Sequence, residues 1–285
     1  MSDPCLPTVR AVADLRRQVR AWRGDGRRVA LVPTMGFLHD GHLSLVRLGK
    51  ALADKVVASL FVNRTQFAPS EDFDAYPRDE ARDAGLLASA ACDLLYAPSV
   101  AEMYPDGFAT TVSVAGISAP MDGVARPTHF AGVATIVAKL LTQCQPDIAI
   151  FGEKDFQQLM VIRRLARDLD LPVEIVGAPT VREADGLALS SRNSYLTEAE
   201  RAVAPRLNAA LRAAADALRG GAAVNDAEAA GLVALAEAGF GRVDYFEVRA
   251  ADDLRRLGPG PVAAPARILV AARLGRARLI DNWPV

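Results

Sequence analysis

Short apolar, β-branched runs alternate with helical patterns through the first two thirds of the chain, and this alternation limits the fold more than any other feature. Strand-like runs fall near 29–33, 55–62, 93–97, 147–151 and 173–178, with helical spacing near 41–53, 78–90, 130–143 and 155–169. Strands separated by helices predict a parallel sheet covered on both faces, because each parallel crossover must travel back along the sheet. The expected class is α/β, a doubly wound parallel sheet. Residues 109–114 (Ala-Thr-Thr-Val-Ser-Val) read as an additional strand outside the alternation. Past Val181 the pattern becomes an Ala-rich helical pair at 197–219 and 225–239, followed by strands near 243–249, 267–274 and 277–281. That order predicts a smaller C-terminal α+β domain, with domains at 1–183 and 184–285. Gly220-Gly221 and Gly258-Pro-Gly-Pro261 read as turns inside it.

Of 285 residues, 51% are hydrophobic, enough for a sizeable core. The 33 basic and 34 acidic residues are mixed along the chain, so no basic stripe favours nucleic acid, and an anionic ligand must be met by local groups. No apolar run reaches the roughly 18 residues of a membrane span, and Met1 to Arg10 lacks a signal-like apolar segment, so a cytoplasmic location is expected. Cys5, Cys92 and Cys144 are odd in number and far apart, which suits reduced, buried thiols.

Ligands of doubly wound sheets bind outside the carboxyl ends of the strands. The unusual polar residues cluster there: Met35 to His42 after the first strand, Asn63 to Gln66 after the second, and Gly152 to Asp155 after the fourth. Two of the chain's three histidines, His39 and His42, form His-Asp-Gly-His where a strand turns into a helix. Backbone N–H groups and the positive end of a helix dipole converge at such a turn, where phosphate binds. A zinc site would need a third ligand, and no Cys or acidic cluster follows at ligand spacing. Two surface imidazoles without a role are the plainer alternative.

The remaining motifs admit two readings each. Lys154, in Phe151-Gly-Glu-Lys-Asp155, can neutralise a phosphate oxygen, while Asp155 either caps the next helix or touches a ribose or metal. Ser190, Ser191 and Arg192 form either a loop able to close over a triphosphate or a turn before the helix at Thr197. Gln66 and Gln158 suit a substrate bearing hydroxyls and a carboxylate, or are simply solvated. Arg126 and His129 could contact an anion or pair with a carboxylate.

Taken together, the motifs resemble the pantothenate synthetase (pantoate–β-alanine ligase) family of the nucleotidyltransferase superfamily. Six ordered blocks between residues 33 and 193 carry the resemblance: Pro33-Thr-Met-Gly-Phe-Leu-His-Asp-Gly-His-Leu-Ser-Leu45, Phe61-Val-Asn-Arg-Thr-Gln-Phe67, Tyr76-Pro-Arg78, Arg126-Pro-Thr-His-Phe130, Gly152-Glu-Lys-Asp-Phe-Gln-Gln158 and the run from Val181 to Asn193. It implies a Rossmann-like nucleotide- and pantoate-binding domain with a C-terminal lid. It also implies ligation of pantoate and β-alanine to pantothenate, with AMP and pyrophosphate released, through an enzyme-bound pantoyl adenylate. His39, His42, Lys154, Ser190, Ser191 and Arg192 would act on the phosphates, Gln66 and Gln158 would hold pantoate, Met35 and Asn63 would lie beside substrate, and Gly152, Asp155 and Val181 would surround the adenosine. Mg2+ would bridge phosphate oxygens, and the family resemblance implies a homodimer formed through the first domain. Arg64 stands where the family usually has Pro and Thr128 where it usually has Gly; Phe37 and Asp40 replace Ala and Glu. Two other readings are nucleotidyl transfer to a phosphorylated alcohol, which keeps the nucleotide in its product, and a nucleotide-binding regulator without catalysis.

Overall fold

A computed structural model describes residues 6–68 and 73–285. They divide into two compact units, one taking in residues up to Glu153 together with Val161–Pro179, the other Lys154–Met160 with Thr180–Val285.

In the first unit the elements run β1 (Thr8–Val9), α1 (Val12–Gly24), β2 (Val29–Thr34), α2 (Asp40–Leu52), β3 (Lys55–Leu60), α3 (Glu80–Ser89), β4 (Leu94–Tyr96), α4 (Val100–Met103), α5 (Asp122–Ala125), α6 (His129–Cys144), β5 (Ile148–Gly152) and β6 (Glu174–Ala178). Helix α7 (Phe156–Asp168) begins among the residues of the second unit and ends among those of the first. The six strands form one sheet in the order β1-β4-β3-β2-β5-β6, every pairing parallel. This is the Rossmann-like α/β sheet. Chain order reverses between β2 and β5, the switch point at which such sheets open a crevice. The crevice has a local cause. Strand β2 stays paired with β3 through Pro33 and Thr34 but leaves β5 after Leu31, and Pro33 has no N–H to continue that ladder.

Carboxylates pin the opposite, amino-terminal edge. Asp147 accepts from the Val29 N–H at 2.7 Å, Asp54 from the Arg28 N–H at 2.8 Å, and Asp93 from the Val56 N–H at 2.9 Å. Burial raises the Asp93 carboxyl, but hydrogen bonds from Lys50, Val56 and Lys55 outweigh it and hold the group below the usual carboxylate range. Helix α2 covers β2, β3 and β5 with Leu43, Leu45 and Val46, each worth about 1.5–3 kcal/mol of burial. Gly49 lets it approach closely: a Cβ there would lie 3.1 Å from Val56 and 3.3 Å from Ile150.

The second unit contains α8 (Glu198–Val203), α9 (Arg206–Arg219), α10 (Val224–Glu237) and an antiparallel sheet β7-β8-β9 (Val243–Ala250, Ala266–Leu274, Ala277–Pro284). Its core joins Leu207, Leu211 and Leu218 of α9 to Val248, Ile268 and Val270 of the sheet.

Three local expectations need correction. Residues 109–114 form no strand; the backbone of Val112 is instead engaged by the Thr135 hydroxyl of α6, through the Val112 N–H at 2.9 Å and the Val112 carbonyl at 3.4 Å. The helix expected over 197–219 is broken at Ala204-Pro205, because proline cannot donate inside a helix. β1 and α1 were not foreseen, although Leu15 and Val19, the buried residues of α1, are one turn apart. Cys92 and Cys144 are free and buried, and Cys5 lies outside the described residues. Among the described residues no helix is long and apolar enough to cross a membrane.

Candidate active site

The turn from β2 into α2 is closed by two imidazoles. His39 is the N-cap of α2, and its Nδ1 accepts from the Gly41 N–H at 3.1 Å; Nδ1 of His42 accepts in turn from the His39 N–H at 3.3 Å. Asn, Asp, Ser or Thr usually fills the first of these roles and Glu or Gln the second. Since each Nδ1 accepts, the proton of each neutral ring sits on Nε2, so both rings present an Nε2–H donor. The ring centroids are 4.1 Å apart. Two donors on the N-terminus of a 13-residue helix, at the carboxyl end of a central strand, form a corner whose chemistry suits an anion.

A residue that sequence reasoning missed anchors this corner. Asp83 of α3 is fully buried, and its two oxygens accept from the Phe37 N–H at 2.7 Å and the Leu38 N–H at 2.8 Å. No local pattern flags it, because its partners lie some 45 residues earlier.

Beyond β3, the 3-10 turn Arg64–Gln66 carries Gln66. Asn63, only 1% exposed, donates to Gln66 Oε1 and to the Gly132 carbonyl, both at 3.1 Å, and accepts from Thr65 at 2.9 Å and Tyr104 at 2.8 Å. Its amide is thereby committed to holding Gln66, whose Nε2 lies 2.9 Å from Met35 Sδ. The Gln66 carbonyl accepts from His129 Nδ1 at 2.9 Å and from Arg126 at 3.2 Å. His129 thus protonates the ring nitrogen opposite to that of the other two histidines and braces the Gln66 turn. Thr128 sits at φ −98°, where threonine is unstrained, and Arg64 lies over the Phe73 ring at 4.7 Å. Gly152 ends β5.

In the second unit, Lys154 and Asp155 occupy a 3-10 turn, Glu153–Asp155, with Lys154 Nζ 3.8 Å from the Asp155 carboxylate. The Lys154 carbonyl accepts from Asn282 Nδ2 at 2.9 Å, while Asn282 Oδ1 accepts from Arg267 at 2.6 Å. Asp281, beside it, takes a bidentate pair from Arg182 at 2.7 and 2.9 Å. Sequence reasoning passed over this network as well. Gln158 lies in the first turn of α7 and is half-buried. Val181 and Leu189 close a hairpin through a 3.0 Å bond, which sets Val181 beside the residue that precedes Ser190. Ser190 caps the 3-10 turn Ser191–Tyr195 by accepting from the Arg192 N–H at 3.3 Å. Among the described residues no group of three or more His, Cys, Asp or Glu is arranged to hold a metal ion.

Comparison with known proteins identifies the family. Residues 7–284 match the sequence pattern of pantoate-beta-alanine ligase. A pantothenate synthetase of Caulobacter vibrioides is 61% identical over 286 residues, with 100% of each chain covered. The crystal structure of a pantothenate synthetase from Thermus thermophilus superimposes with a TM-score of 0.92 at 50% identity, covering 98% of this chain and 99% of that one. A pantoate-beta-alanine ligase from Francisella tularensis, complexed with beta-gamma ATP and beta-alanine, gives 0.79 at 31% identity over 98% and 97%. A match along nearly the whole length, with the histidine-capped helix at the switch point of the sheet, makes this chain a member of the pantoate-beta-alanine ligase family.

Proposed function

We propose that the chain joins pantoate to β-alanine at the expense of ATP through an enzyme-bound pantoyl adenylate. The observation that carries this reading is the pair of Nε2–H donors on α2, suited to an anion whose charge grows during reaction. A carboxylate is a poor electrophile. A pantoate oxygen therefore attacks the α-phosphorus of ATP, the bond to the β-phosphate breaks, and pyrophosphate departs. The amine of β-alanine then attacks the acyl carbon and loses a proton, while AMP leaves with the bridging oxygen. No side chain among the described residues is an obvious base for that proton, so positioning carries the second step.

In this reading His39, His42, Lys154, Ser190, Ser191 and Arg192 act on the phosphates. Gln66 and Gln158 hold pantoate, with Met35 beside it and Asn63 acting through Gln66. Gly152, Asp155 and Val181 border the adenosine. Magnesium would come with the triphosphate and help offset its charge. A homodimer, which rests on the family resemblance, and a cytoplasmic location belong to the same proposal. Product analysis tests it: pantoate and ATP alone should release about one pyrophosphate per site, and β-alanine should then start steady AMP release. Nucleotide retained in the product would favour transfer to an alcohol, and ATP binding without turnover would favour a regulator.

A further inference from the structure

We propose that Asp83 is a positioning residue for phosphate transfer, fixing the loop that delivers His39 and His42; the proposal rests on the phosphate role assigned above to those histidines. A fully buried carboxylate is costly unless its oxygens are satisfied, and the two N–H groups that satisfy Asp83 belong to consecutive residues directly before His39. Those residues need holding. Gly36 and Phe37 both have positive φ, +87° and +51°, and a bulky residue in the left-handed region is strained. Successive amides in such a bend converge into an anion cradle, which the carboxylate fills.

The fit leaves little slack, since a Cβ on Gly36 would lie 3.0 Å from Asp83 Oδ2. Arg82 adds a second hold by donating to the Leu38 carbonyl at 3.0 Å, with its guanidinium 5.2 Å from the Phe37 ring. Because Leu38 is pinned through both its N–H and its carbonyl, the next residue, His39, starts from a fixed point. Both imidazole–amide bonds of the α2 cap depend on it. Loss of the carboxylate charge should therefore loosen the two rings together and leave His129, on α6, undisturbed.

Asp83→Asn tests this with little change of shape: the asparagine can accept one of the two N–H groups but turns its own NH2 toward the other. With only three histidines, long-range 1H–15N spectra assign all ring nitrogens from single His→Ala variants. We expect the Nε2–H pattern of His39 and His42 to collapse toward averaging while His129 keeps its Nδ1–H signal. Pyrophosphate release should slow by about 10- to 100-fold with KM for ATP changed less than about threefold, as for a reacting group displaced by about 1 Å. A folded variant with unchanged His39 and His42 signals overturns the proposal, whatever its rate. If Asp83→Asn does not fold, Arg82→Ala, at a half-exposed side chain, should shift the same two rings in the same direction; unchanged rings there overturn it as well. The spectra need no substrate, so they decide the positioning role even if His42→Ala were to leave turnover intact.

Discussion

Gly132→Ala should damage the pantoate side of the site without touching a residue proposed to meet substrate. A Cβ on Gly132 would lie 2.4 Å from the Thr65 carbonyl oxygen, 2.5 Å from its carbon and 2.7 Å from the Gln66 nitrogen. Relief requires the Arg64–Gln66 turn and α6 to separate by about 1 Å, because backbone cannot rotate away as a side-chain tip can. Overpacking of this kind costs about 1–3 kcal/mol, of which alanine's better helix propensity returns up to about 1 kcal/mol. The same displacement stretches the Asn63 bond to the Gly132 carbonyl and the bonds from Arg126 and His129 that fix Gln66. Losing one or two neutral hydrogen bonds to pantoate corresponds to about 1–2 kcal/mol, a 5- to 30-fold weaker Kd. Calorimetric titration of pantoate and of ATP, with thermal unfolding in parallel, reads both effects; ATP affinity should stay within about twofold. Gly85→Ala on α3 is the control, since nothing lies within 4 Å of its Cβ position, and it should stabilise by about 0.5–1 kcal/mol. Unchanged pantoate affinity and Tm in Gly132→Ala would refute the reasoning.

Asn282→Ala removes the donor to the Lys154 carbonyl and one acceptor of Arg267, so ATP should bind about 5- to 30-fold more weakly by calorimetry while pantoate binding holds. Asp93 titrates below the ordinary carboxylate value in the folded chain, so its stabilisation is complete above about pH 4 to 5 and fades as pH falls through the folded pKa. In urea titrations Asp93→Asn should thus be less stable than the parent at pH 7, with the gap closing in acid. Burial pushes the Cys92 thiol up to about 11 and that of Cys144 to about 12. In a Cys5→Ser background neither should react with a disulfide reagent at pH 8 while the chain is folded. Because both folded values are raised, the stability they carry is whole below the ordinary thiol pKa of about 8.5 and declines as pH climbs toward 11.

Much of this molecule is written in local sequence. Strands β2 to β6 of the parallel sheet and the helices between them follow from β-branched runs and helical spacing, and the topology places His39, Gln66 and Gly152 at or beyond the ends of three adjacent strands. What failed depended on partners distant in sequence. Residues 109–114 have strand composition, yet a single Thr135 hydroxyl takes the backbone groups of Val112 that a ladder would have needed. Pro205 was a visible breaker inside an Ala-rich run whose helical pattern masked it. Asp83 and Asn282 carry no motif, and each gains meaning only when folding sets it against a loop or a carbonyl far away in the chain. The two histidines show the limit most clearly: their place at a helix start is legible in the motif, but that both cap it through Nδ1 emerges only in the folded chain.

The pantoyl adenylate is tested most directly by following oxygen. With pantoate labelled by 18O in both carboxylate oxygens, ATP and β-alanine, turnover through the adenylate must leave one 18O in the phosphate of AMP and one in the amide carbonyl of pantothenate. AMP free of label, or 18O found in inorganic phosphate beside ADP, would contradict it.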